Sequence, residues 1–174
     1  MPLCLCVSHA VDNAANWPTF QVHSVPLRCL VTINASNVAA VLGSESELGR
    51  RVANLDDLRH LVEEGLPVAA LDRVVVRVTR DDRSAAELKY RLVPKTTLRR
   101  RVRLDPEESQ RLERLARMTV LAEQVWESPD LAHEFLTSMQ HQLDGERPVD
   151  LARSDIGTRQ VETLLMKIEY ALPV

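Results

Sequence analysis

Residues 111–174 read RLERLARMTVLAEQVWESPDLAHEFLTSMQHQLDGERPVDLARSDIGTRQVETLLMKIEYALPV, and their spacing sets the fold class. Apolar side chains recur at helical intervals through Leu112, Leu115, Thr119, Ala122 and Trp126, and again through Val161, Leu164, Leu165, Ile168 and Leu172. Between these two amphipathic helices the sequence predicts a shorter helix and a Gly/Pro turn. A helix as apolar as the last one needs something to cover it. No alternating period argues for strands here, and an all-α protein is expected.

Upstream, helix signals continue. Asn54 to Glu64 (NLDDLRHLVEE) begins with a capping side chain and acidic residues, places Leu58, Leu61 and Val62 on one face, and stops at Gly65. Pro67 suits the first turn of a helix running through Leu71. The β-branched run Val74, Val75, Val76, Val78 has strand propensity, but Leu66, Ala70, Leu71, Val74 and Val78 fall on one helical face, so it is read as helix. Ser84 and Glu87 have the spacing of a capping box that opens a helix carrying Leu88 and Leu92, closed by Pro94. Residues 95–101 (KTTLRRR) read as another short helix, and Asp105-Pro106-Glu107-Glu108 caps the long helix that follows.

Short helix, tight turn, short basic helix is a helix-turn-helix pattern. In it Lys95, Thr96 and Thr97 would face base edges in the major groove, and Arg99, Arg100, Arg101 and Arg103 would meet phosphates or guanine. Charge supports this reading. The whole chain carries −3, yet residues 73–103 hold eleven Lys or Arg against three Asp or Glu, an excess of eight that leaves the remainder at −11. A basic block in an acidic protein is the footprint of a polyanion. With Tyr90 the one aromatic in that block, duplex DNA fits better than single-stranded RNA, which calls for stacking platforms.

Residues 1–36 hold two charges, Asp12 and Arg28, three prolines and no sustained period. They read as a poorly ordered leader, and translation beginning near Val31 is an alternative reading of them. Cys4, Cys6 and Cys29, with His9 and His23 nearby, match no structural zinc spacing. They read as reduced thiols, and no metal is expected. The first ten residues lack a basic n-region, and no apolar run approaches the roughly 20 residues that span a bilayer, so a cytoplasmic protein without membrane contact is expected.

Catalytic motifs are missing. The chain has no G-x-S-x-G elbow, P-loop, dinucleotide glycine motif or H-E-x-x-H, and five glycines in all. Paired acids such as Asp56-Asp57 and Glu107-Glu108 sit at helix starts, where capping explains them. Neither an enzyme nor a cofactor is expected. His133 and His141 read as surface residues, and Trp126 as core.

Residues 38–72 (VAAVLGSESELGRRVANLDDLRHLVEEGLPVAALD), 92–118 (LVPKTTLRRRVRLDPEESQRLERLARM) and 145–174, in that order, resemble the Xre/MbcA/ParS family of antitoxins. The most specific pieces are LDPEESQRLERLAR, the turn Gly145, Pro148, Asp150, Leu151, and the block Gly157, Val161, Glu162, Leu164, Leu165, Ile168, Glu169, Tyr170. The resemblance implies an Xre-like helix-turn-helix and dimerisation domain at residues 37–118 and a small helical toxin-binding domain at 119–174. It further implies a homodimer that assembles with a RES-domain toxin acting on NAD, by degradation or ADP-ribosyl transfer, and that binds operator DNA. On the matched positions, toxin contact would come from Gly157, Arg159, Val161, Leu164, Lys167, Glu169, Tyr170, Leu172, Pro173 and Val174. Val161, Leu165 and Ile168 read more readily as core than as contact, because an amphipathic helix buries its stripe in its own domain first. The basic turn is shorter and more compressed around Pro94 than the family pattern. The competing function is a stand-alone repressor whose terminal helix dimerises.

Overall fold

Capping chemistry sets where most helices begin. The computed structural model describes residues 33–170, and among them it contains helices, turns and one isolated bridge but no strand. Helix α1 (Ala35–Leu42) starts where the Asn34 side chain accepts from the Ser36 amide, so ordered helix begins inside the expected leader rather than at 37. Ser44 with Glu47 and Asn54 with Asp57 form capping boxes for α2 (Glu45–Leu48) and α3 (Leu55–Glu63). α4 (Val68–Thr79) is one continuous helix: Pro67 is its N-cap, outside the helix, and the valine run lies within it. Val74, Val75 and Val78 are buried there. Burial on one face outweighs their strand propensity, which is a weak prior.

Two expectations for the basic region are corrected. α5 (Asp82–Leu92) is capped by Asp81, whose carboxylate accepts from the Ser84 amide at 2.9 Å. Ser84 is therefore a first-turn residue and not the cap. α6 (Lys95–Leu98) is four residues long, and Arg99–Arg100 turn out of it. None of its residues is fully buried, and Leu98 is its one apolar contact with the core, too little to hold a longer helix there.

α7 (Pro106–Trp126), opened as expected by Asp105 and Glu108, is the centre of the molecule. Leu112, Leu115, Ala116, Met118, Leu121 and Ala122 are almost fully buried along it. α1, α3, α4 and α5 pack on it, as do α8 (Pro129–Thr137) and α10 (Asp155–Glu169). The position 118/119, expected as a domain boundary, falls inside this helix. A 3-10 turn, His141–Leu143, and the one-turn helix α9 (Pro148–Leu151) link α8 to α10. Residues 1–32 and 171–174, and with them Cys4, Cys6, Cys29, Leu172, Pro173 and Val174, lie outside the described residues.

Candidate functional site

Two surfaces carry the residues singled out above. The first lies on α10, which is two-sided. Its core stripe, Val161 and Leu165 at 0% exposure with Leu164 at 5%, packs on α7. Val161 therefore sits inside the chain's own core, beneath the surface instead of on it. Gly157 is also buried. A methyl group there would come within 2.5 Å of the Leu151 carbonyl oxygen, so this glycine lets α9 and α10 close on each other.

The opposite stripe, Ile156, Gln160, Thr163 and Lys167, lines a groove of about 640 Å³ with Arg159. The facing wall is His141 to Asp144 together with Glu146, and Leu143, Leu151 and Leu164 form the floor. Ile156 is 74% exposed, an apolar side chain at the rim left open among the described residues. The facing wall is held rigidly. The Gln140 amide donates to the Glu146 carbonyl, the Gly145 amide donates back to Gln140, and the Gln140 side chain donates to the Phe135 carbonyl, all at 3.0–3.1 Å. Asp144 and Gly145 are both left-handed, with φ of 56° and 78°, which fits the glycine of the G-x-x-P-x-D-L turn. Asp150 of that turn is an internal hub, bound by Arg91 of α5 at 2.7 Å and by Arg147 at 2.8 Å.

Arg159 pairs with Asp155 at 3.0 Å, both largely exposed, a contact that competes weakly with any incoming partner. Lys167 and Glu169 are half-buried, and Tyr170, which ends α10, is 40% exposed. Ile156, Gln160 and Thr163 were missed by the sequence reading. Their signal was the 4-3-4 spacing of 156, 160, 163 and 167, a second helical stripe offset from the apolar one. Deeper, Arg117 of α7 pairs with Glu113 at 3.8 Å and with Glu162 at 2.9 Å, and burial pushes the Glu113 carboxyl above the usual range.

The second surface is basic. Most of its charge is already partnered. Arg73 binds Glu47, Arg77 binds Glu123, Arg80 binds Asp130, Lys89 binds Asp72, Arg91 binds Asp150, and Arg101 lies 3.4 and 3.6 Å from Asp105 and Glu108. Arg103 donates through Nε to the Gly65 carbonyl at 2.8 Å. Arg83, Lys95, Arg99 and Arg100 are exposed and have no acidic partner among the described residues; the Lys95 ammonium stands 5.4 Å from the centre of the Tyr90 ring. Thr96 is exposed and Thr97 half-buried. Lys95, Thr96 and Thr97 thus lie on one helical turn, while Arg99 to Arg103 lie on the segment that follows it.

Two side-chain expectations change. His133 is half-buried, its Nδ1 2.6 Å from the Val78 carbonyl oxygen, because α8 packs on α4. Trp126 is half-buried at the end of α7, 6.0 Å from the Phe135 ring. Among the described residues no group of His, Cys, Asp and Glu could hold a metal ion, and no helix is long and apolar enough to cross a membrane.

Residues 121–171 match the family model of the antitoxin Xre/MbcA/ParS C-terminal toxin-binding domain. No curated protein matches the chain. The matched range covers the last turns of α7 through α10 and contains every residue lining the groove.

Proposed function

We propose that this chain, whose residues 121–171 match the C-terminal toxin-binding domain of Xre/MbcA/ParS antitoxins, is an antitoxin that binds and inhibits a RES-domain toxin acting on NAD. The observation that carries the reading is the coincidence of the family match with an open groove whose apolar floor and exposed Ile156 have no cover among the described residues. Ile156, Arg159, Gln160, Thr163, Lys167 and Tyr170 form the contact face, and Val161 and Leu164 hold it from beneath. Tyr170, Leu172, Pro173 and Val174 reach over the toxin's NAD pocket, where Arg159 and Lys167 suit the NAD phosphates. Inhibition is occlusion, with no chemistry contributed by this chain.

A homodimer formed through residues 37–118 binds the operator, and the surface around Lys95, Arg99 and Arg100 supplies phosphate contacts. The toxin-binding portion, 119–174, is joined to it through α7. The exposed cations Arg99 and Arg100, without an acidic partner among the described residues, support this part of the proposal.

The test is co-purification of the full chain with the product of the adjacent gene, followed by NAD consumption by that product with and without the antitoxin. A stable complex with suppressed NAD turnover is the expected result. An Ile156→Glu variant that folds normally and still protects the NAD pool would remove the groove from the mechanism. Absence of any complex, with operator binding by this chain alone, would favour the stand-alone repressor.

A further inference from the structure

We infer that the segment after α6 binds the minor groove of A·T-rich duplex DNA, with Arg99 and Arg100 entering the groove and Val102 packing against its sugar walls. The inference rests on the DNA-binding reading and replaces its expected geometry. A recognition helix needs length to lie in the major groove, which is about 12 Å wide. α6 has four residues, about 6 Å of rise, and Arg99, Arg100, Arg101 and Arg103 all lie beyond its end.

Beyond Leu98 the chain makes a turn at Arg99–Arg100 and a bend at Val102 before the isolated bridge between Pro67 and Arg103. Val102 is 84% exposed, the most exposed large apolar side chain among the described residues. It sits among four arginines, which is unfavourable placement for a valine that stays in water and suitable placement for a tip that becomes desolvated on binding.

The tip is also rigid. The Val68 amide donates to the Val102 carbonyl at 3.0 Å, and the Leu104 amide donates to the Leu66 carbonyl at 2.8 Å. Arg103 donates to Gly65 from the same side. Little backbone entropy is left to lose when it meets a ligand. Arg101 and Arg103 are held by Asp105, Glu108 and Gly65, which leaves Arg99 and Arg100 as the free guanidinium groups on this segment among the described residues.

A single turn of chain that presents two arginine side chains needs no more room than a groove about 6 Å wide. A·T tracts narrow that groove and deepen its negative potential, which attracts arginine, and proteins that bind there use apolar side chains against it.

Fluorescence anisotropy with the full chain tests this on three duplexes of one length: alternating A·T, alternating G·C, and alternating I·C. Inosine removes the guanine N2 amino group, so I·C shows the minor groove the acceptor pattern of A·T while keeping the major-groove acceptors of G·C. The expected result is that A·T and I·C bind alike, about tenfold tighter than G·C, and that netropsin displaces the protein while methyl green does not. Val102→Ala, at an exposed position, should leave the melting temperature unchanged and cut the preference severalfold. The double variant Arg99→Lys, Arg100→Lys should keep affinity for G·C and lose the preference. I·C behaving as G·C, or displacement by methyl green alone, would overturn the inference and leave DNA binding standing. No binding to any of the duplexes at about 50 mM salt would overturn DNA binding itself, and this inference with it.

Discussion

Gly157 and Gly65 are where single atoms decide the path of the chain. A β-carbon on Gly157 would stand 2.5 Å from the Leu151 carbonyl oxygen and 2.9 Å from Ser154 Oγ, the atom that caps the Gly157 amide. Gly157→Ala should therefore cost roughly 1–3 kcal/mol, read in urea unfolding, and any loss of toxin binding should track the loss of folded protein; full stability with lost binding would instead place Gly157 in the interface. At Gly65 the β-carbon would lie 2.3 Å from the Leu104 carbonyl oxygen, at a φ of +90°. Gly65→Ala should be at least as damaging, because the strain of a left-handed alanine adds to the overlap. It should also disturb the Val102 segment that Gly65 holds. Gly65 was visible as the stop of a helix, and Gly157 as a member of the terminal block. That one of them serves an internal close approach rather than a partner depends on a carbonyl six residues earlier in the chain, which no spacing rule reports.

At the scale of the element, α10 separates stability from recognition, since its two stripes face different neighbours. Leu165→Ala on the inner stripe removes a fully buried side chain and should cost about 2–5 kcal/mol. Thr163→Glu on the outer stripe should leave the thermal midpoint within a degree or two and weaken the toxin complex; equal effects on both readouts would mean that the groove is not the contact face. The inner stripe was legible from its period. The outer one was obscured by polar side chains that any solvated helix face carries.

The α7–α10 junction adds a pH signature. Burial raises the Glu113 carboxyl, against the pull of Arg117 and Arg114 and with help from Glu162 and Asp155. A carboxyl raised on folding favours the native state while protonated, so its contribution is greatest below about pH 4.5 and falls as pH rises from there through the higher native value. Glu113→Gln should remove that decline. The stability of the variant relative to the parent should increase between pH 4.5 and 7 in urea titrations. A difference that stays flat across this range would mean that the buried carboxylate is fully compensated by Arg117.

At the scale of the whole molecule, charge is the property that sequence counting misjudges most. Eleven basic residues between 73 and 103 look like a polyanion footprint in one dimension, but the fold folds acidic side chains from α2, α4, α7, α8 and α9 onto them. Arg73, Arg77, Arg80, Lys89, Arg91 and Arg101 meet carboxylates, several of them far away in the chain. The helices themselves were readable because their caps and periods are local, whereas these pairings are set by packing. Arg83, Lys95, Arg99, Arg100 and Arg103 meet no carboxylate among the described residues. Counterion release then limits the salt dependence of DNA binding, since each neutralised phosphate contributes about 0.9 to the slope of log K against log salt. Five such cations per chain give a slope near −4.5, and eleven would give about −10. Titration of the full chain against a duplex between about 50 and 200 mM salt should return the shallow value, and Arg99→Ala should make it shallower by about one. A slope near −10 would mean that the internal ion pairs open on DNA, with Glu123, Asp130 and Asp150 released to solvent.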